Sequence, residues 1–458
     1  MIRRDFLRVG ALWSGVGRVS PTGMLGVASI GGGLALPGQA AAADYRALVC
    51  VHLSGGNDGN NSLIPLDGAY DDYASARPDL ALAKDSLTPL SGNSAGHAFG
   101  LNPALAPLAA LYNQQRLAWV VNVGPLVVPT TAGQVKDRSV PLPPFLFSHS
   151  DQIAIQQGWM GDTDASGWAG RALEAMPSRL KNPLSAVTTD NNRTLVLGRH
   201  SRVGFMSPGG SRWWGQADLA SSSNHWARSL GQMSQWQYSN RYETEFTRSF
   251  GSSFEESKLL TQAYLKAQLP VGNFPSDSLG ESLRSLAAVM PVFKSMGFKR
   301  QIFLISWGGF DTHTDQRGSN LRSQDTQLDV LARAMSAFDQ ANLASGLGAD
   351  VTSLMMTEFG RTLRQASGGG SDHGWGNHWF VVGGSVAGGQ VIGEFPALVL
   401  RGPDDADPAG QGRFVPKVSS DQLGATLMQW MGLPSDSLLT VFPNLANFSI
   451  KNLGLFST

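Results

Sequence analysis

Short, almost uninterrupted apolar runs punctuate this chain, and each stops abruptly at a cluster of small or polar residues. Arg46 to Leu53, Leu117 to Val123, Gln301 to Trp307, Val351 to Thr357 and Trp379 to Val382 are of this kind. Runs of that length without polar alternation read as strands buried on both faces. Between them the apolar positions change to a helical period, which predicts helices over 101–112 (with a proline near its start), 240–267, 279–296, 320–344 and 420–431. Strand, helix, strand is the crossover unit of a parallel sheet, so the pattern predicts an α/β fold. Thr194 to Leu197 reads as a short strand and Val386 to Glu394 as a short hairpin. Residues 126–170, rich in Pro, Gln, Ser and Trp, read as a long ordered loop of the sort that carries function. The polar, glycine-rich stretch 182–237 reads as an insertion in one α/β domain spanning 44–458.

The first 43 residues stand apart from that pattern. Arg3-Arg4-Asp5-Phe6-Leu7 precedes a segment rich in Gly, Ala, Leu and Val, and Ala40-Ala41-Ala42-Ala43 offers small-x-small cleavage frames. This is the pattern of a twin-arginine export signal, and it predicts a periplasmic or secreted protein. Pro21, Pro37, Arg18 and many glycines break the segment, so no run of about 18 apolar residues exists and no stable membrane insertion is expected after signal removal. Formal charge is zero with 15% charged residues, a balance that provides no basic field for nucleic acid. Cys50 is the only cysteine, which excludes an intrachain disulfide and a multi-cysteine zinc site. Within its apolar strand it reads as a small buried hydrophobe. Any metal must therefore be held by His, Asp, Glu and hydroxyl groups.

Acidic and imidazole groups gather just past the ends of the predicted strands, where open α/β sheets place their ligands. Asp58 follows the first strand among Asn57, Asn60 and Asn61; it is either a ligand or the anchor of an Asx turn. Asp311 and His313 are two apart on an extended segment, so their side chains point the same way and can reach one ion. Glu358 ends the next strand, with Arg361 three residues on. That pair is either an internal ion pair or a metal ligand beside a guanidinium that meets an anionic substrate. Asp372 and His373 come just before the following strand, and His378 reads as a supporting or structural histidine. In Ser148-His149-Ser150-Asp151 a hydroxyl, an imidazole and a carboxylate are too close in sequence to meet as a triad. A metal-activated Ser148 or Ser150, or His149 as a ligand, is the simpler reading. No Gly-x-Ser-x-Gly elbow, phosphate loop or dinucleotide fingerprint is present.

Taken in order, Val51-His-Leu-Ser-Gly-Gly-Asn-Asp-Gly-Asn-Asn-Ser-Leu-Ile-Pro65, Leu101-Asn-Pro-Ala-Leu-Ala-Pro-Leu108, Phe147-Ser-His-Ser-Asp-Gln152, Gly309-Phe-Asp-Thr-His313, Thr357-Glu-Phe-Gly-Arg-Thr362 and Asp372-His-Gly-Trp-Gly-Asn377 resemble the exported family catalogued as domain of unknown function 1501. That family is regarded as a remote branch of the alkaline phosphatase and sulfatase superfamily. The resemblance implies an alkaline-phosphatase-like sandwich, a mostly parallel central sheet with helices on both faces. It also implies metal ligation by Asp58, Asp311, His313, Glu358 and His373, with divalent ions such as Zn, Mn, Ca or Mg. The expected activity is hydrolysis or transfer at a phosphate or sulfate ester of a small molecule, glycan or lipid. The chain departs from better-known members in ending its late strand Glu358-Phe359, in the tight Asp-x-His spacing and in lacking a Cys-x-Pro-x-Arg motif. A competing reading follows from those departures: a secreted binding or assembly protein that keeps the fold and one metal without turnover.

Overall fold

Strand β1 (Arg46–Ser54) runs through the middle of the molecule with every inner residue buried. The computed structural model describes residues 44–158, 165–207, 221 and 223–456; the export signal expected in residues 1–43 lies outside them. The remaining strands, in chain order, are β2 (Leu63–Pro65), β3 (Thr88–Ser94), β4 (His97–Leu101), β5 (Leu117–Gly124), β6 (Ala186–Thr188), β7 (Gly204–Phe205) and β8 (Arg300–Gly308), then β9 (Val351–Met356), β10 (Arg361–Gln365), β11 (Ser371–His373), β12 (Asn377–Gly383), β13 (Gln390–Ile392) and β14 (Val418–Ser419). A nine-stranded sheet has the order β13-β5-β12-β9-β1-β8-β6-β7, with β14 also on β5. Its pairings are parallel except those of β12, which runs against both β5 and β9. The fold is thus the mostly parallel α/β arrangement that the apolar runs predict.

Alternate residues of each strand feed two separate cores. Val49, Val51, Trp119, Phe303 and Ile305 face the helices Ala106–Asn113, Ser278–Ser295 and Gln324–Ala344. Leu48, Cys50, Val120, Leu304 and Val381 face the helices Trp168–Ala175 and Ser420–Met431. Helices therefore cover both faces, which is why these strands carry no polar alternation. The Cys50 thiol is buried among those apolar groups, and burial pushes its pKa upward, as expected of an inert hydrophobe. Among the described residues no helix is long and apolar enough to cross a membrane.

The differences from the sequence reading have local causes. Thr194–Val196 is a 3-10 turn rather than a strand, because Val196 and Leu197 bond back to Arg193. Val386 to Glu394 forms no hairpin: Gly389 donates to Leu117 O and Gln390–Ile392 extends the sheet alongside β5. The stretch 126–170 is not all loop. Thr131 and Gln134 form a capping box that starts a helix at Ala132, and a second helix covers His149–Gln157. The expected insertion contributes β6 and β7 to the sheet edge. The glycine-rich stretch after Arg361 folds as a two-stranded ribbon, β10 against β11, with Arg361 directly opposite His373.

Candidate metal centre

β9, β1 and β8 are adjacent and parallel, so Glu358, the Gly55–Asp58 loop and Asp311 leave the sheet at one edge. β12 is reversed, and its first residue, Asn377, therefore arrives at that same edge. The β10–β11 ribbon just before it brings in His373. Gly55 lets the first loop close tightly: its φ is +116°, and a Cβ there would lie 2.3 Å from the backbone nitrogen of Asp311. His149 comes from the first turn of the helix His149–Gln157.

Three imidazoles converge on the Asp311 carboxylate. His149 Nε2 lies 3.5 Å from Oδ2, while His313 Nε2 and His373 Nε2 lie 3.1 and 3.2 Å from Oδ1. His313 Nε2 and His373 Nε2 are 3.0 Å apart. The far nitrogen of each ring is committed to an oxygen acceptor: His149 Nδ1 to Glu358 Oε1 at 2.9 Å, His313 Nδ1 to Asp372 Oδ1 at 3.0 Å and His373 Nδ1 to the Phe147 carbonyl at 2.8 Å. A carbonyl and carboxylates only accept, so each Nδ1 carries a hydrogen, and a ring in its neutral form turns its Nε2 lone pair toward Asp311. Lone pairs that close repel one another unless a cation sits among them. Edges of 3.0 to 3.2 Å approach the separation of about 3.3 Å that bonds of about 2.05 Å to one tetrahedral ion would produce. His149, Asp311 and His373 offer ligand atoms that all lie within 4.8 Å of one another, a set that fits a divalent metal, and His313 Nε2 stands beside them 3.1 Å from Asp311 Oδ1.

Charge and burial set the protonation states. Burial works against ionising Asp311, but the hydrogen bond and charge of Arg361 outweigh it, and the carboxyl titrates at about 2. Burial likewise opposes ionised Glu358, which His149, His52 and the Gly55 amide nevertheless hold below its ordinary range. The hydrogen bond to Glu358 raises His149, whereas burial lowers His373. The Phe359 ring packs against both His149 and His373, with centroids 4.8 and 4.5 Å away, and forms an apolar wall. His149, Asp311 and His313 keep 36%, 47% and 44% of their side-chain surface, so solvent or a ligand reaches the cluster.

Other expected site residues serve it from behind or lie apart. Asp58 is not in the cluster: fully buried, it accepts from Arg77 Nη1 at 2.6 Å, Gln316 Nε2 at 2.7 Å and Asn60 N at 3.1 Å. Those partners already use its carboxylate. Glu358, expected as a ligand, lies behind the cluster against His149; it also accepts from Gly55 N at 2.7 Å and from Thr357 Oγ1 at 3.1 Å. Asp372 lies against His313 in the same manner. Arg361, expected to meet substrate, is sealed: it donates to the carbonyls of Gly56, Ser371, Gly55 and Phe310 and to Asp311 Oδ1. It ties the loops after β1 and β8 together beneath the cluster. Ser148 Oγ donates to Asp151 Oδ2 at 2.5 Å beside His149, and Ser150 is exposed in the same first turn of the helix.

The sequence reading passed over His52, Phe147 and Arg77. His52 is an imidazole inside the apolar β1; its Nε2 stands 3.6 Å from Glu358 Oε2, and a lone polar residue in an apolar run was the available signal. Phe147 has φ +73°, a conformation rare for a bulky residue, and its carbonyl meets His373. Arg77 carries no local signal at all.

His378 belongs to the scaffold, with Nδ1 accepting from Asn122 N at 3.1 Å and its ring stacked on Phe395. Burial lowers its pKa from 6.5 to about 4. Because the fold binds this proton more weakly than the unfolded chain does, stability present above pH 6.5 is lost as pH falls toward 4. The whole effect is up to about 3 kcal/mol. Urea unfolding of wild type and His378→Gln at a series of pH values should show the variant with the flatter profile in that window; parallel profiles would refute it.

A mostly parallel α/β fold with an imidazole and carboxylate cluster at its strand ends defines the class of this protein. The chain belongs to the family described as Protein of unknown function (DUF1501), whose profile matches residues 45–444. No curated protein matches the chain. Among solved structures it is similar to the lipoteichoic acid synthase LtaP from Listeria monocytogenes, at 10% identity over 90% of this chain and 77% of that one, with a TM-score of 0.38. It is also similar to the phosphonate monoester hydrolase SpPMH from Silicibacter pomeroyi (11% identity, 85% and 74% covered, TM-score 0.32) and the PsFucS1 sulfatase from Pseudoalteromonas sp. (8%, 90% and 74%, TM-score 0.31). Likeness at this level transfers no residue role and no substrate.

Proposed function

We propose that this is a metal-dependent hydrolase or transferase of phosphate or sulfate esters, acting outside the cytoplasm on a small molecule, glycan or lipid. The observation that carries the metal reading is the convergence of three Nε2 atoms on Asp311, each ring oriented through Nδ1 by an oxygen acceptor. His149, His313, His373 and Asp311 would hold the ion. Three imidazoles with one carboxylate favour zinc over calcium or magnesium, which prefer all-oxygen sites. A divalent ion so held polarises an ester oxygen and lowers the pKa of a hydroxyl or water. Phosphate and sulfate esters enter from the family resemblance of the motif set, not from the cluster itself.

The surrounding residues have defined tasks. Glu358 and Asp372 fix the rings of His149 and His313, the Phe147 carbonyl fixes His373, and Phe359 excludes water from one side. Asp311 stays ionised because Arg361 holds it so. Ser148 is the hydroxyl best placed to attack, since its Oγ donates to the Asp151 carboxylate, a base within reach, and it adjoins His149 in the chain. The sealing of Arg361 favours a second reading, a binding or assembly protein without turnover, because the nearest cation cannot hold an anion.

Metal content and activity separate these readings. Purified protein should carry stoichiometric zinc and hydrolyse at least one of a panel of aryl phosphates, phosphodiesters and aryl sulfates. Ser148→Ala should retain the zinc and lose at least about 100-fold in turnover. Zinc without any hydrolysis would favour the binding protein, and protein that takes up no divalent metal would sink both readings.

A further inference from the structure

We propose that Arg413 is the residue that holds the anionic group of a ligand at the metal centre. This rests on the phosphate or sulfate ester reading above and deepens it. Arg413 Nε donates to the backbone carbonyl of His373 at 2.9 Å, and its guanidinium lies over the Phe147 ring, 4.6 Å from the centroid. Those two residues also meet each other, through His373 Nδ1 and the Phe147 carbonyl. The guanidinium is therefore braced on the pair that orients one of the converging imidazoles. Unlike Arg361, whose side chain is fully buried, Arg413 keeps 30% of its side-chain surface exposed.

Its donors are only partly used. Nη1 meets Asp407 Oδ2 at 2.9 Å, and Nη2 has no hydrogen-bond partner among the described residues. Asp407 is itself nearly buried, and its other oxygen accepts from Ala409 N at 2.7 Å. A planar guanidinium with an unused edge, braced beside a cation-binding cluster, suits a tetrahedral oxyanion, whose oxygens accept parallel N–H bonds. Asp407 holds the same guanidinium and so competes with that anion. A bracing role alone would need only the Nε contact with His373 and would give Asp407 no influence on ligand affinity.

Calorimetric titration of the zinc-loaded full chain with inorganic phosphate and with sulfate tests this, alongside zinc content. Arg413→Gln should weaken phosphate binding about tenfold or more with zinc stoichiometry unchanged. Arg413→Lys should recover part of the loss, and Asp407→Asn should tighten binding severalfold by releasing the guanidinium. Equal phosphate affinity in wild type and Arg413→Gln would overturn the role of Arg413 while leaving the ester reading standing. Loss of zinc in Arg413→Gln in parallel with phosphate would reduce Arg413 to a brace and overturn it too. A zinc-loaded wild type that binds neither anion would remove the ester reading, and this inference with it.

Discussion

Asp311→Asn is expected to leave the protein folded and empty of zinc, with all ester hydrolysis lost. Asp311 is the one anion that all three imidazoles approach, and Arg361 keeps it ionised. The amide retains the volume and can still accept from Arg361, so the loops after β1 and β8 stay tied while the charge disappears. The neighbouring substitution Glu358→Gln provides the contrast. Glu358 acts through His149, so its loss should weaken zinc by about 10 to 100-fold rather than abolish it. Zinc content after dialysis, measured by plasma mass spectrometry, reads both. Full occupancy in Asp311→Asn would mean that the cluster is not a metal centre.

Arg77→Met should cost about 3 to 5 kcal/mol of stability, because it strands the Asp58 carboxylate in a site with no access to water. Both side chains are fully buried, and Arg77 also donates to Asn61 Oδ1 and to the carbonyls of Leu363 and Thr362. The paired substitution Asp58→Asn with Arg77→Met should recover much of the loss, since no charge then remains uncompensated. Chemical denaturation of the two single variants and the pair closes the cycle. Asp58→Asn alone should keep its zinc, because the guanidinium, and not a metal, neutralises this carboxylate. Loss of zinc in that variant would restore Asp58 as a ligand.

The strands were legible because they are buried on both faces: an apolar run such as Gln301 to Trp307 has no polar partner surface to confuse it. Helices with clear caps were legible as well. The helix over Ser420–Met431 starts at a Ser419 and Gln422 capping box and stops at Gly432 in a left-handed conformation. The β10–β11 ribbon was hidden, since its strands are short and Gly368-Gly369-Gly370 between them reads only as a loop. Residue types at the site were readable, and their roles were not.

The sequence alone therefore determined that Asp311, His313, Glu358 and His373 leave the sheet close to strand ends, because apolar runs mark those ends locally. Tertiary structure alone decided which of them turn toward one point. His149 enters from a helix far away in the chain, Glu358 turns its carboxylate to that imidazole, and Asp58 faces Arg77 instead. The reason is that a carboxylate goes to whichever donors surround it, and the deciding ones, Arg77 for Asp58 and the Gly55 amide for Glu358, lie 19 and 303 residues distant along the chain.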